Sequence, residues 1–271
     1  MSVSVREVAS AADRKAFLRV PFGIFADDPN WVAPLFLERE EHIDPKKNPY
    51  FQHADVALFI AERNGRPVGR ISAQHDRLRL EHHRDGTGLF GFLDAVDDPA
   101  VFDALLDVAA KWLKTRGLTR MEGPFTFSIN DETGLLVDGF ATPPVMMMGH
   151  ARPYYMRHLE ATGFAKAKDV VAYDYDARKP LPRAMQAMIG KAHANGDLSV
   201  RPLSKKELAR DLAIVIDIFN DAWSENWGFV PMTQEEINAL GKNLKMLVAE
   251  RFIAIASYRG EPAAMAVSLP D

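Results

Sequence analysis

Asn130, Asp131 and Glu132 follow directly on an aromatic run, Phe125-Thr126-Phe127, and a carboxylate so placed could take a proton from a reacting group through water. Asn130 or Asp131 could equally cap a following turn by accepting from its backbone N–H groups. Phe125 and Phe127 alternate as on a strand, which suits either the lining of a pocket or the filling of a core. His75, Glu81, His82 and His83 carry natural zinc-ligand groups, but their spacing matches no zinc pattern and reads as a solvated, charged strand end, so no metal is expected. Met146-Met147-Met148 could wall an acyl chain, because thioethers repack readily, or fill a core. Trp31 and Trp227, each preceded by Asn, could stand at the entrance to an acceptor site or anchor their loops. Arg152, Arg157 and Lys166 could meet an anion. Phosphate-loop, dinucleotide, nucleophile-elbow and His-Glu-x-x-His signatures are absent from the sequence.

The elements that must position these groups follow from pattern and punctuation. The spacing predicts a strand at 2–8, a helix from Ala11, a second helix over 35–43, and strands at 56–62 and 68–76 joined by the hairpin signal Asn64-Gly65. Gly88 to Leu93 is apolar on both faces and predicts a central strand. Asp98 is an N-cap, Pro99 fits the first helical position, and apolar residues at 101, 105, 108 and 112 predict a helix that stops at Gly117. A fifth strand is expected from Arg120 to Phe127, a helix at 153–162, a strand region at 165–176 and a connecting helix over 180–195.

At 271 residues, 47% hydrophobic and 26% charged, the chain has the composition of a globular protein. No apolar run reaches the roughly 20 residues that a membrane-spanning helix needs, and the first ten residues lack the pattern of a signal peptide, so a cytoplasmic location is expected. Zero cysteines exclude disulfides, thiolate metal sites and a cysteine nucleophile. A net charge of -4 gives no electrostatic footprint for nucleic acid and disfavours a tRNA-dependent transferase.

An internal repeat organises the chain. Val3-Ser4-Val5-Arg6 reappears as Leu198-Ser199-Val200-Arg201. Ile24-Phe25 then matches Ile218-Phe219, Asn30-Trp31 matches Asn226-Trp227, and Phe59-Ile60-Ala61 matches Phe252-Ile253-Ala254, all at an offset of about 195 residues. The sequence therefore predicts a domain over 1–178, a connecting helix or linker over 179–197, and an incomplete second copy over 198–271. The open sheet edge of the incomplete copy could support self-association.

The element order, the run Tyr155-Met156-Arg157-His158-Leu159-Glu160-Ala161-Thr162-Gly163-Phe164, and Gly123 to Asn130 at the place of a fifth strand together resemble the GNAT N-acyltransferase superfamily. The resemblance implies an α/β fold with a mixed, mostly antiparallel sheet flanked by helices, in one complete copy plus the first half of a second. It implies transfer of an acyl group from acetyl-CoA or another acyl-CoA to a small-molecule or peptide amine, without metal or membrane. The donor would lie in the opening between strands four and five, against Phe92, Leu93 and Asp94. Asn130, Glu132 and Tyr155 would carry the acceptor chemistry, with Trp31, Phe125 and Phe127 lining its site. Two departures stand out. The family's Gln/Arg-x-x-Gly-x-Gly/Ala loop is replaced by Asp94-Ala95-Val96-Asp97-Asp98-Pro99, which sets negative charge where a pyrophosphate would sit, and the position of the family's usual acid is Leu159. These departures leave a second expectation open, a non-catalytic ligand-binding or scaffold module.

Overall fold

The computed structural model describes residues 2–176, 178–247 and 249–269. It divides into two compact units, Met1–Lys168 and Asp169–Asp271. Asp271, where the second copy is expected to be cut short, lies outside the described residues.

The first unit begins with β1 (Ser4–Glu7) and α1 (Ala11–Ile24). Ser10 starts α1 through a reciprocal box: its hydroxyl accepts from the Asp13 N–H, and the Asp13 carboxylate accepts from the Ser10 N–H. After α2 (Phe36–His42) come β2 (Ala54–Arg63) and β3 (Arg66–Asp76), joined through Asn64 and Gly65, both at positive φ as a tight hairpin turn requires. A short helix α3 (Arg77–His83) then leads to β4 (Thr87–Ala95), α4 (Pro99–Lys114), β5 (Arg120–Glu122) and α5 (Tyr154–Ala161). The strand order is β1-β2-β3-β4-β5, antiparallel except for the parallel β4–β5 pair.

Alternation along the strands builds two apolar layers. Phe59, Ala61, Ile71 and Phe90 pack with α4 and with Tyr155 and Leu159 of α5, whereas Leu58 and Ile60 pack on the opposite face with Phe17, Leu18, Tyr50 and Phe127. All nine residues of β4 are buried, the signature of a strand covered on both sides. Asp98 caps α4 by accepting from the Ala100 N–H, ahead of Pro99 at the first helical position.

The β3–β4 ladder is interrupted at one point. The register pairs Arg70 with Asp94 and Ser72 with Gly91, so Phe92 and Leu93 together oppose the single residue Ile71. This β-bulge places Phe92 at positive φ and reverses the facing of the strand: Phe90 belongs to the α4 layer, and Phe92, two residues on, to the other.

Three expectations need correction. The fifth strand stops at Glu122, because Gly123-Pro124 follows and Pro124 has no N–H for a ladder, so Phe125 and Phe127 stand on an irregular segment, apart from one bridge between Phe125 and Thr133. No strand forms over 165–176 among the described residues. Val170, Val171, Tyr173 and Tyr175 are exposed, and β-propensity without a packed neighbour does not make a strand. Of the His-rich residues expected at a strand end, His75 is one residue from the end of β3, whereas Glu81, His82 and His83 are on α3. Its Asp76 cap accepts from the Arg79 N–H, and Arg79 itself is buried, holding Asp85 with both terminal nitrogens at 2.9 and 3.0 Å and Glu122 at 3.2 Å.

The second unit contains α6 (Arg183–Ala194), β6 (Leu198–Pro202), α7 (Leu208–Trp223), α8 (Gln234–Leu247), β7 (Ile253–Tyr258) and β8 (Glu261–Val267), with sheet order β6-β7-β8, all antiparallel. Among the described residues Leu203, Val215, Ile253 and Ile255 form one apolar cluster, and Leu212, Ile216, Phe229, Val230 and Ile237 are also buried. Asp211 of α7 ties the unit together: it accepts two hydrogen bonds from Arg201 of β6, at 2.6 and 2.7 Å, and a third from the Ser204 N–H at 2.8 Å.

Candidate active site

The β4 bulge opens onto a cavity of about 130 Å3 in the first unit. Phe92, Leu93 and Asp94 form one wall, α1 contributes Leu18 and Pro21 with Phe25 just past its end, and α2 contributes Arg39. The loop after α1 adds Trp31, Val32 and Pro34, and the irregular chain after β5 adds Thr126, Glu132, Pro144, Met148 and His150.

Two ion pairs face this space. Arg70 of β3 holds Asp94 at 2.7 Å, while its guanidinium lies 5.0 Å over the Phe17 ring and 5.3 Å over that of Phe92. Burial pushes the Asp94 carboxyl above its ordinary value, outweighing the opposite pull of Arg70. Arg39 pairs with Glu132, whose other carboxylate oxygen lies 3.5 Å from the Thr126 hydroxyl. Behind the lining, His150 Nε2 lies 2.9 Å from Asp28 Oδ2, and Arg152 Nη1 lies 3.5 Å from the same oxygen. The Asp28 carboxylate is held below its usual range, first by the His150 hydrogen bond.

Of the residues singled out in the sequence, Trp31, Phe92, Leu93, Asp94 and Glu132 come together around the cavity. Phe125 and Phe127 are not on its lining. Phe125 is buried, and its carbonyl accepts from Gln74 at 3.0 Å; Phe127 is fully enclosed, stacked between His42 and Tyr50 at 4.9 and 5.2 Å. Asn130 lies in the turn beside the cavity, its N–H bonded to the Ser128 hydroxyl, while Asp131 accepts from the Ser128 N–H, so the capping chemistry serves a turn and not a helix. Tyr155 is 0% exposed, behind β4: its hydroxyl accepts from the Ala95 N–H at 3.1 Å and lies 3.5 Å from Asp94. Burial raises both tyrosine hydroxyls, that of Tyr154 to about 12, so each remains protonated and holds the end of β4 by hydrogen bonds. His150 and Asp28 were missed from sequence. They are 122 positions apart, and neither neighbourhood carries a motif.

The start of α4 is already satisfied. Asp98 caps the helix and pairs with Arg63 at 2.6 Å, while Asp97 accepts from Arg157 at 2.8 Å and from His158 at 2.7 Å. An adjacent hollow of about 390 Å3 is lined by Asp27, Asp97 and Arg152, and that arginine is committed to Asp27 and Asp28. Nothing in this arrangement offers a phosphate the free donors that a glycine-rich helix start would.

A mixed, mostly antiparallel sheet flanked by helices is the layout that the GNAT resemblance implies. Comparison with known proteins identifies the relatives. The chain is 43% identical over 272 residues to the bacterial ceramide synthase of Caulobacter vibrioides, covering 99% of this chain and 70% of that one. It is 40% identical over 272 residues to protein YghO of Escherichia coli, covering 98% and 68%. The chain belongs to the family of these two proteins. No family model matches it. Among solved structures it is similar to the aminoglycoside N-acetyltransferase AAC(6')-Iy in complex with a bisubstrate analogue, with 12% identity over 65% of this chain and 100% of that one and a TM-score of 0.39. It is also similar to an acetyltransferase with acetyl-CoA from Clostridium acetobutylicum, with 10% identity, 64% and 96% coverage and a TM-score of 0.37. Both likenesses are too shallow to transfer a substrate.

Proposed function

We propose that this protein transfers an acyl group from an acyl-CoA to the amine of a long-chain amino alcohol, forming the amide bond of a ceramide-type lipid. The observation that carries the reading is the 43% identity, over nearly the whole chain, to a ceramide synthase. The cavity supports it. Its about 130 Å3 falls short of the roughly 300–1,000 Å3 of ordinary ligand pockets, so it suits a reacting head group and not a whole lipid. Its rim continues outward in exposed apolar side chains, Val32, Leu35 and Leu37 on one segment and Val145 to Met148 on another, which suits a hydrocarbon tail leaving the head group. In this reading Asp94 and Glu132, each fixed by an arginine, orient the amine and the hydroxyls, and the bulge at Phe92 and Leu93 receives the thioester. Asn130 and Tyr155 act by shaping the turn and the end of β4, and Trp31 walls the entrance.

The second unit is proposed to repeat the opening of the first, over 198–269. The common order of strand, two helices and two strands, and the matching β1-β2-β3 and β6-β7-β8 pairings, support this. The occupied start of α4 favours a second reading, in which the first unit is a scaffold and CoA is held elsewhere in the protein.

The test is amide formation, followed by mass spectrometry, with palmitoyl-CoA or acetyl-CoA as donor and amines graded from ethanolamine to sphinganine as acceptors. The proposal expects kcat/KM to rise with the amine's chain length. No amide from any pair would overturn it. Amide formation unaffected by Asp94→Asn or Glu132→Gln would favour the scaffold reading.

A further inference from the structure

The two carboxylates on the cavity wall, Asp94 and Glu132, already accept from guanidinium groups. His150 differs. Its side chain is only 6% exposed and lines the cavity, and Nε2 is turned to Asp28, which is not on the lining. Nδ1 is buried with no hydrogen-bond partner. A hydrogen bond from Nε2–H to a carboxylate fixes the tautomer and leaves the lone pair on Nδ1. Asp28 is itself held: its Oδ1 accepts from the Asn30 N–H at 3.0 Å, and Arg152 stands beside its other oxygen. The Phe25 ring packs edge-on against the imidazole at 5.3 Å, limiting its rotation.

Resting on the acyl-transfer reading above, we propose that His150 is the general base that takes a proton from the acceptor amine at Nδ1, with Asp28 as its positioning residue. The amine arrives as an ammonium ion. His150 Nδ1 removes one proton, and the freed nitrogen lone pair forms the C–N bond at the thioester carbonyl as the C–S bond breaks. The departing thiolate takes the second N–H proton, and the imidazolium returns its own proton to solvent. The sum is ammonium plus thioester giving amide, thiol and one proton. The charged groups around the imidazole are Asp28, Asp27 and Arg152 on its own side, and the Arg39–Glu132 and Arg70–Asp94 pairs elsewhere on the cavity lining.

The experiment is the pH dependence of kcat/KM with palmitoyl-CoA and sphinganine on the full-length protein, joined to imidazole 15N NMR of the unmodified protein. His150→Asn is expected to lower the rate at neutral pH by on the order of 10²–10⁴-fold. Its remaining rate should climb tenfold per pH unit, as the free amine does. Asp28→Asn should lower the plateau and, in the NMR spectrum, spread the proton over both ring nitrogens, because an amide no longer fixes the tautomer as a carboxylate acceptor does. The NMR spectrum should show the proton on Nε2 and an Nδ1 resonance that moves when sphinganine is added alone. A His150→Asn profile matching the unmodified protein, a proton resident on Nδ1, or an Nδ1 resonance indifferent to amine would each overturn the assignment. An amine-dependent shift in a protein that forms no amide would instead overturn the acyl-transfer reading and leave the proton-accepting contact standing. The NMR arm also keeps the question decidable if His150→Asn fails to fold.

Discussion

Arg70 shows how much one residue can hold. Its guanidinium neutralises a buried carboxylate, lies over two rings, and donates to the Phe17 carbonyl at 3.3 Å, so it joins β3, β4 and α1 at the cavity wall. Arg70→Met would leave Asp94 buried without a counter-charge, and breaking such a pair costs about 3–5 kcal/mol. Urea unfolding should show that loss at pH 8. Because burial raises the Asp94 carboxyl in the folded protein, the deficit should shrink as pH falls to about 3, below the unfolded value of about 3.9, where the carboxyl is largely neutral in both states; an equal deficit at the two pH values would contradict this account. Asp211 behaves oppositely. Hydrogen bonds from Arg201 hold its carboxylate below the usual range, so its contribution is present above the unfolded value of about 3.9 and is lost as pH falls through the folded one. Acid unfolding of the second unit should therefore be less steep in Asp211→Asn, and an unchanged acid limb would show that Asp211 is not its source.

At the scale of elements, β4 and the chain after β5 are fitted to each other at one point. A Cβ on Gly91 would lie 1.6 Å from the Phe125 carbonyl oxygen, so glycine is required there by proximity alone. Gly91→Ala is expected to cost about 1–3 kcal/mol or more, by pushing the 123–127 segment away from the sheet. A thermal midpoint within one degree of the parent's would refute the contact. This fit also explains what the sequence could and could not disclose. The buried β4, the Asp98-Pro99 start of α4 and the Asn64-Gly65 hairpin are local signals, and each was legible. The bulge was not, because Phe92 and Leu93 look like any apolar pair until Ile71 is set opposite them. The end of the fifth strand was written in Pro124 and overridden by the aromatic alternation that follows it. The site divides along the same line. Phe92, Leu93, Asp94, Trp31 and Glu132, which line the cavity, were singled out because they flank recognisable elements, whereas Asp28 and His150 meet only through a fold that joins the end of α1 to a loop without pattern.

The molecule as a whole distributes its burial unevenly. Among the described residues the first unit has two apolar layers around β4, the second has a four-residue apolar cluster with a few other buried side chains, and α6 has no buried residue along its length. Local opening therefore has very different free energies in different places. The amides of β4, enclosed along all nine residues, should exchange with deuterium only when the entire first unit opens, while those of α6 exchange by fraying. Since a ligand that binds only the folded state stabilises it by RT ln(1 + [L]/Kd), each tenfold excess over Kd slows exchange in β4 about tenfold. The central strand is thus a built-in clock: its deuterium uptake, read by mass spectrometry, would rank candidate acyl donors and amines by affinity before any turnover is detected.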